Sequence, residues 1–323
     1  MVKDVCAGLR RRIHPYPVLP GFRHTADLDD KGLRNGMVEV CMLHHVLPDD
    51  RVRLGPKEDH SVTPHQLRSY LTKRKSWTSL SPAEMPRRRR DGAGYLLTFD
   101  DGYRNNLTNA LPVLEEYDAP ALIFVTTGFI DGDIYPYELE LAEVIRSRRT
   151  LHVPEKTRET EEDLIEIATL KSKEALYQTL RKPLKPVSHS QREAYMNRLA
   201  DANGYDREHF QTVPFLSWEE IASLDRHPLI TIGAHTHEHP VLTRRLPWPA
   251  FQEMSMSKQR LEDVLGHKVH HFSYPYGRSN RLIKSLARLS GFEWAFTTDA
   301  KRVSSFKGCD PFAVPRIDIR QLV

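Results

Sequence analysis

Leu96-Leu97-Thr98-Phe99-Asp100-Asp101-Gly102-Tyr103 is the stretch that decides how the rest of the chain is read. A short apolar run stops at two adjacent carboxylates and a glycine, and a helical pattern follows from Arg104 to Tyr117. An apolar run bounded in this way predicts a buried strand. Neighbouring residues at a strand end point in different directions, so the two acids need not share one task. Two carboxylates at close range resist joint ionisation. A cation bound to one removes that penalty and leaves the other to act as a base. This is the pattern of a metal-dependent hydrolase, and the remaining ligands must come from elsewhere in the chain.

Upstream, residues 37–43 predict a strand that ends in His44-His45, and Thr63-Pro64 opens a helix over 65–75, proline being favoured in a first helical turn. Downstream, strands are predicted over 121–125, 229–233, 269–274 and 294–297. Helices are expected over 137–146, 249–265 and 279–290, with Ser217 as the N-cap of another. Repeated strand–helix alternation argues for a parallel α/β architecture, barrel or open sheet. Residues 151–213 depart from it. They are polar, rich in Lys and Glu, and broken near Pro183 and Pro186, which reads as a helical insertion on the outside of the domain. Residues 1–36, with Pro15, Pro17 and Pro20, read as an irregular N-terminal arm, leaving 37–323 as the main domain.

Composition narrows the class. The 323 residues are 39% hydrophobic and 28% charged, as in a soluble globular protein. Net charge is +4, and the run Arg87-Arg88-Arg89-Arg90 supplies much of the excess. No aromatic residues interleave with that run, so it reads as a solvated loop rather than a nucleic-acid patch. Cys6, Cys41 and Cys309 form no C-x-x-C pair, which argues against both a disulfide framework and a structural zinc site. No window is apolar enough to cross a bilayer. The first 21 residues lack the apolar core of a secretory signal, so a cytoplasmic location is expected.

Three segments of unusual chemistry each follow a predicted strand: Asp100-Asp101, His235-Thr236-His237-Glu238-His239, and Tyr274-Pro275-Tyr276-Gly277. Parallel α/β folds place their active sites at that edge. His235 and His239 can converge on one ion, with His237 able to replace either, and one carboxylate completes a set that leaves positions open for water and substrate. Position 241 is Val, so no H-E-x-x-H helix is present.

Together, Thr98-Phe99-Asp100-Asp101-Gly102, His235-Thr236-x-x-His239 and Tyr274-Pro275-Tyr276-Gly277 resemble the motifs of the NodB-homology polysaccharide deacetylases, carbohydrate esterase family 4, and within them the subgroup with a YPYG motif. The likeness extends to Leu43-His44-His45-Val46, to Ser257-Lys258 with Leu261 and Leu265-Gly266, and to Pro315-Arg316-Ile317, spanning roughly 37–318. The resemblance implies a distorted, incomplete (β/α) barrel, a divalent metal that is usually zinc, and hydrolysis of N-acetyl groups on amino sugars. It assigns Asp100 as general base, Asp101, His235 and His239 as metal ligands, and the Tyr276 N–H as an oxyanion donor. Two departures stand out. Ser273 occupies the position where many members carry an arginine that steadies the base, and the late Leu-x-His segment that usually supplies the general acid is not evident. By its strand-end address His44 is the candidate acid, with His237 as its rival.

The expected partner is therefore a carbohydrate, either a glycan or a lipid- or nucleotide-linked precursor met by peripheral contact, and not a nucleic acid. Another amide (a cyclic imide or an N-formyl sugar) and a non-catalytic glycan-binding role are the alternatives. Trp218, Trp294, Tyr103, Tyr135 and Tyr137 are candidate sugar platforms, for each of which packing inside the fold is the competing role.

Overall fold

A computed structural model describes residues 36–51, 53–55, 58, 60–87, 92–154, 164–184, 187, 189–208 and 214–323. All of them fall in one compact unit, Arg34–Val323. Nearly all of the expected arm, Cys6, Arg88–Arg90 and Pro186 lie outside the described residues.

In chain order the strands are β1 (Val38–Leu43), β2 (His45–Val46), β3 (Ser61–Val62), β4 (Thr78–Ser79), β5 (Gly94–Phe99), β6 (Ala121–Val125), β7 (Thr150–His152), β8 (Leu164–Glu166), β9 (Ile230–Ala234), β10 (His271–Ser273), β11 (Trp294–Phe296) and β12 (Ile317–Asp318). An eight-stranded sheet runs in the order β11-β10-β9-β6-β5-β1-β12, with β4 paired off that path to β5, and every pairing in it is parallel. The segment that ends the path also reaches its other edge, because Val314 bridges Phe296 while β12 pairs with β1. The sheet is thereby curled into the distorted (β/α) barrel that the sequence led us to expect.

Both faces of the sheet are covered, so β1, β5 and β6 are buried along their whole length. Side chains alternate between two apolar clusters. Val38, Val40, Leu96, Leu122, Phe124 and Phe296 share one, and Cys41, Leu43, Leu97, Phe99, Ile123 and Val125 share the other, under the helices. The first parity continues through Thr98 to Asp100, which aims Asp100 into the barrel.

Helix starts follow their local signals. Thr63 and Ser217 each close a capping box, with Gln66 and Glu220 respectively, ahead of helices Pro64–Lys73 and Trp218–Asp225. The segment after the diacid differs from the expected single helix. A π-helical turn over Asn106–Ala110 precedes the α-helix Leu111–Glu116. The insertion is not wholly helical either. It opens with an antiparallel pairing of β7 and β8 before helices Leu170–Leu184 and His189–Asn203, and its Leu151, Leu176, Leu180, Met196 and Leu199 share an apolar cluster with Leu141 and Ile145 of helix Tyr137–Ser147. No described helix is long and apolar enough to cross a membrane.

Near the start of β1 the fully buried carboxylate of Glu39 accepts from Arg74 Nε (2.6 Å), Arg302 Nη2 (2.8 Å) and Tyr70 Oη (3.1 Å). It ties β1 to helix Pro64–Lys73 and to the loop after β11. Removing one member of a buried charge group leaves the others uncompensated, at about 3–5 kcal/mol. Glu39→Ala is therefore expected to lower unfolding stability by about that amount in urea titration; a loss under about 1 kcal/mol, the level of an exposed pair, would contradict this role.

Candidate active site

The chemistry-bearing segments all lie at the C-terminal ends of strands of the one parallel sheet: His44 after β1, Asp100 and Asp101 after β5, His235 after β9, and Tyr276 after β10. Five non-glycine residues among those described have left-handed φ, and four of them are here: Asp101 (75°), Thr236 (67°), His239 (56°) and Tyr276 (59°). Such conformations cost of order 1–3 kcal/mol each and persist only where the surroundings enforce them. The enforcement is visible. Thr236 Oγ1 donates to the His235 carbonyl and accepts from the His239 N–H (3.0 Å). Glu253, on helix Pro247–Leu265, accepts from the N–H groups of His237 (3.1 Å) and Glu238 (2.8 Å). Gly128 N–H donates to the His237 carbonyl (2.9 Å), and a Cβ at Gly128 would collide with that carbonyl. Gly277 (φ 66°) lies so close to Thr298 that no side chain fits there.

Within this frame Asp101, His235 and His239 bring one donor atom each to within 4.8 Å of one another, a group able to hold a metal ion. Asp101 Oδ1 is 3.5 Å from His235 Nε2 and 3.3 Å from His239 Nε2. The donors are pre-aimed. His235 Nδ1 is 2.8 Å from the Ser273 carbonyl, which requires Nδ1–H and leaves the Nε2 lone pair facing Asp101. Tyr103 Oη donates to Asp101 Oδ2 (2.9 Å), turning Oδ1 toward the imidazoles. Burial and then the Asp101 charge push the Tyr103 phenol well above its ordinary pKa, so it stays a donor.

His237 is elsewhere. Its Nδ1 is 3.0 Å from Thr127 Oγ1 and its Nε2 is 3.4 Å from Asp133, in a second group with Asp131. Arg260 (2.8 Å) and Trp218 Nε1 (2.8 Å) already occupy Asp131.

Asp100 is clamped by a guanidinium that the sequence reading did not anticipate. Arg316, 1% exposed, donates from Nη1 to Oδ1 and from Nη2 to Oδ2, both at 2.7 Å. The same group reaches Thr98 Oγ1 (3.1 Å), Ser273 Oγ (2.9 Å) and the Thr297 carbonyl (2.9 Å). Burial alone would raise the Asp100 pKa. The charges of Arg316, His235 and His44, with the Arg316 hydrogen bonds, outweigh it and hold the carboxyl below its ordinary range. The arginine missing at Ser273 is thus replaced in space from the end of the chain, and Ser273 becomes one of its acceptors. One signal existed: Arg316 is the lone charge in Pro311-Phe312-Ala313-Val314-Pro315-Arg316-Ile317.

His44 is half-buried, with its ring 5.4 Å from that of His60. Three asparagines of the π turn and its approach hold this segment. Asn106 Nδ2 donates to the His44 carbonyl (2.9 Å), Asn109 Nδ2 to the Val46 carbonyl (2.7 Å), and Asn105 pairs with His45 Nδ1 (2.9 Å) and the Val46 N–H (2.8 Å). Of the proposed sugar platforms, Tyr103, Tyr135 and Tyr137 are buried in the fold, and Trp218 and Trp294 are half-buried against it. Tyr276 is the exposed aromatic at the site, 4.9 Å from the His239 ring.

Comparison with known proteins agrees with the geometry. The model of a family described as polysaccharide deacetylase matches residues 87–295. No curated protein sequence matches. Among solved structures, the Streptococcus pyogenes deacetylase PplD in complex with acetate superposes with a TM-score of 0.56 at 19% identity, covering 88% of this chain and 92% of that one. IcaB from Ammonifex degensii does so at 0.53 and 19%, over 88% and 91%. A de-N-acetylase from Aggregatibacter actinomycetemcomitans gives 0.55 and 16%, over 87% and 95%. At these identities the structures speak for a shared fold, and the family match covers β5 to β11, from the strand that carries the two aspartates through both histidines and the Tyr276 turn; this chain belongs to the polysaccharide deacetylase family.

Proposed function

We propose that this protein is a metal-dependent hydrolase that removes N-acetyl groups from an amino-sugar glycan or from its lipid- or nucleotide-linked precursor. The observation that carries this reading is the Asp101–His235–His239 donor group standing directly beside an Arg316-clamped Asp100. Donor separations of 3.3 and 3.5 Å suit a tetrahedral ion with bonds of about 2.0–2.1 Å, which favours zinc. A bound divalent metal would supply Lewis acidity to the acyl oxygen and acidify a water.

The chain's own residues do the rest. Asp100, kept ionised by Arg316, accepts the proton of the attacking water. Each of its oxygens spends one lone pair on Arg316 and keeps the other for that proton. The Tyr276 N–H, set by its left-handed turn, faces the developing oxyanion. The departing amine needs a proton before it can leave, and His44 delivers it.

Acetate release from N-acetylglucosamine oligomers, together with metal analysis, tests the reading. Asp101→Ala is expected to lose metal and turnover together. Asp100→Asn is expected to keep its metal and lose on the order of a hundredfold or more in kcat, since an amide cannot take the proton. Loss of metal from Asp100→Asn alone would exchange the two roles. For the acid, His44→Gln should cost on the order of a hundredfold and remove the alkaline limb of the kcat–pH profile. If that limb survives in His44→Gln and vanishes in His237→Gln, the role passes to His237.

Arg316 is a positioning residue. Arg316→Lys keeps a charge but not the paired geometry, so kcat should fall at least about tenfold with KM little changed. Wild-type kcat in that variant would show that the clamp is dispensable.

A further inference from the structure

Beside the Tyr276 turn lies an open cavity of about 410 Å³ that the proposed chemistry does not use. Gly277 and Thr297, just beyond β10 and β11, line it, which places it at the same sheet edge as the candidate site. The two are adjacent. Gly277 follows Tyr276 in the chain, and the Thr297 carbonyl is the acceptor that holds Arg316 Nε (2.9 Å). Thr243, four residues past His239, also lines it.

The cavity is cationic. Arg278, Arg281 and Lys284 line it against a single carboxylate, Asp299. Lys284 is paired with Asp310 (2.8 Å), but neither Arg278 nor Arg281 has an ion-pair partner among the described residues, and both are exposed. The cavity also meets the start of helix Arg281–Leu289, whose N-cap is Asn280. A helix N-terminus carries partial positive charge and favours acidic residues. This one has no acid in its first turn and places Arg281 there instead, whereas helix Trp218–Asp225 carries Glu219 and Glu220. Two unpaired guanidiniums added to a positive helix end are mutually unfavourable until an anion sits between them.

We propose that this cavity binds the phosphoryl groups of a diphosphate-linked amino sugar, presenting its N-acetyl group to the adjoining site. The inference rests on the deacetylase reading for what happens next, but not for binding. Guanidiniums make paired hydrogen bonds to phosphate, and helix N-termini are recurrent phosphate sites. Donors arriving from two arginines and a helix end suit a tetrahedral oxyanion better than a planar carboxylate. The volume lies in the range of small-ligand pockets, roughly 300–1,000 Å³, with room for more than one phosphoryl group.

Calorimetric titration of the metal-loaded protein with inorganic pyrophosphate tests binding directly. Arg278→Gln/Arg281→Gln should raise its Kd by roughly tenfold or more. The same variant should lose kcat/KM to a similar degree on diphosphate-linked N-acetylglucosamine and stay within about twofold of wild type on neutral N-acetylglucosamine oligomers. Assaying nucleotide-diphosphate and lipid-diphosphate forms side by side identifies the source, because the arginine-dependent loss follows the form that is used. No binding by wild type, or equal binding by the double variant (pyrophosphate held by the metal), overturns the proposal. So does tighter binding of glucuronate than of pyrophosphate. Arginine-dependent binding without hydrolysis of any acetylated sugar would sink the deacetylase reading and leave this site standing.

Discussion

The arrangement hangs on one buried pair, Arg316 with Asp100. Taking a guanidinium and a carboxylate out of water costs several kcal/mol per ion, and the pair survives only when geometry is good and the remaining donors are engaged. Here both carboxylate oxygens are met at 2.7 Å, and the other contacts go to Thr98, Ser273 and the Thr297 carbonyl. Those acceptors come from the ends of β5, β10 and β11, while the arginine itself precedes β12. The pair can form only after the final segment has seated between β11 and β1. Closure of the barrel and the pairing of Asp100 with Arg316 are therefore one event.

Strain is concentrated at the same edge. Asp101, Thr236, His239 and Tyr276 adopt left-handed backbone that strand and helix avoid. The compensation comes from groups with no chemistry of their own: Thr236, Glu253 and the two close-packed glycines, Gly128 and Gly277. Buried strands beneath provide a rigid base, so loops that would otherwise relax are held in place.

The two ends of the barrel divide the work. Near the start of β1, the fully buried Glu39 gathers Arg74, Arg302 and Tyr70. At the other end the Asp100–Arg316 pair is just as buried, but Tyr276 is exposed and His44 and His239 are half-buried beside it.

Much of this was legible in the sequence, because it is written in local patterns. Apolar runs bounded by polar residues located β1, β5, β6 and β9, and Thr63-Pro64 and the Ser217 N-cap located two helix starts. The diacid and the His235–His239 spacing marked the donor group, since ligands within a few residues of one another leave a visible cluster. The π turn was not legible, because its asparagines matter only once the His44–Val46 segment lies beside them. Nor was β12, two residues long, whose pairing with β1 spans almost the whole chain. Arg316 shows the limit most clearly. Its place in an apolar run was readable, but the carboxylate that justifies burying it is 216 residues away. The sequence by itself determined the central strands, the candidate donors and the strand ends on which they sit. Which charge faces which was decided only when the sheet curled and low dielectric made every unpaired ion costly.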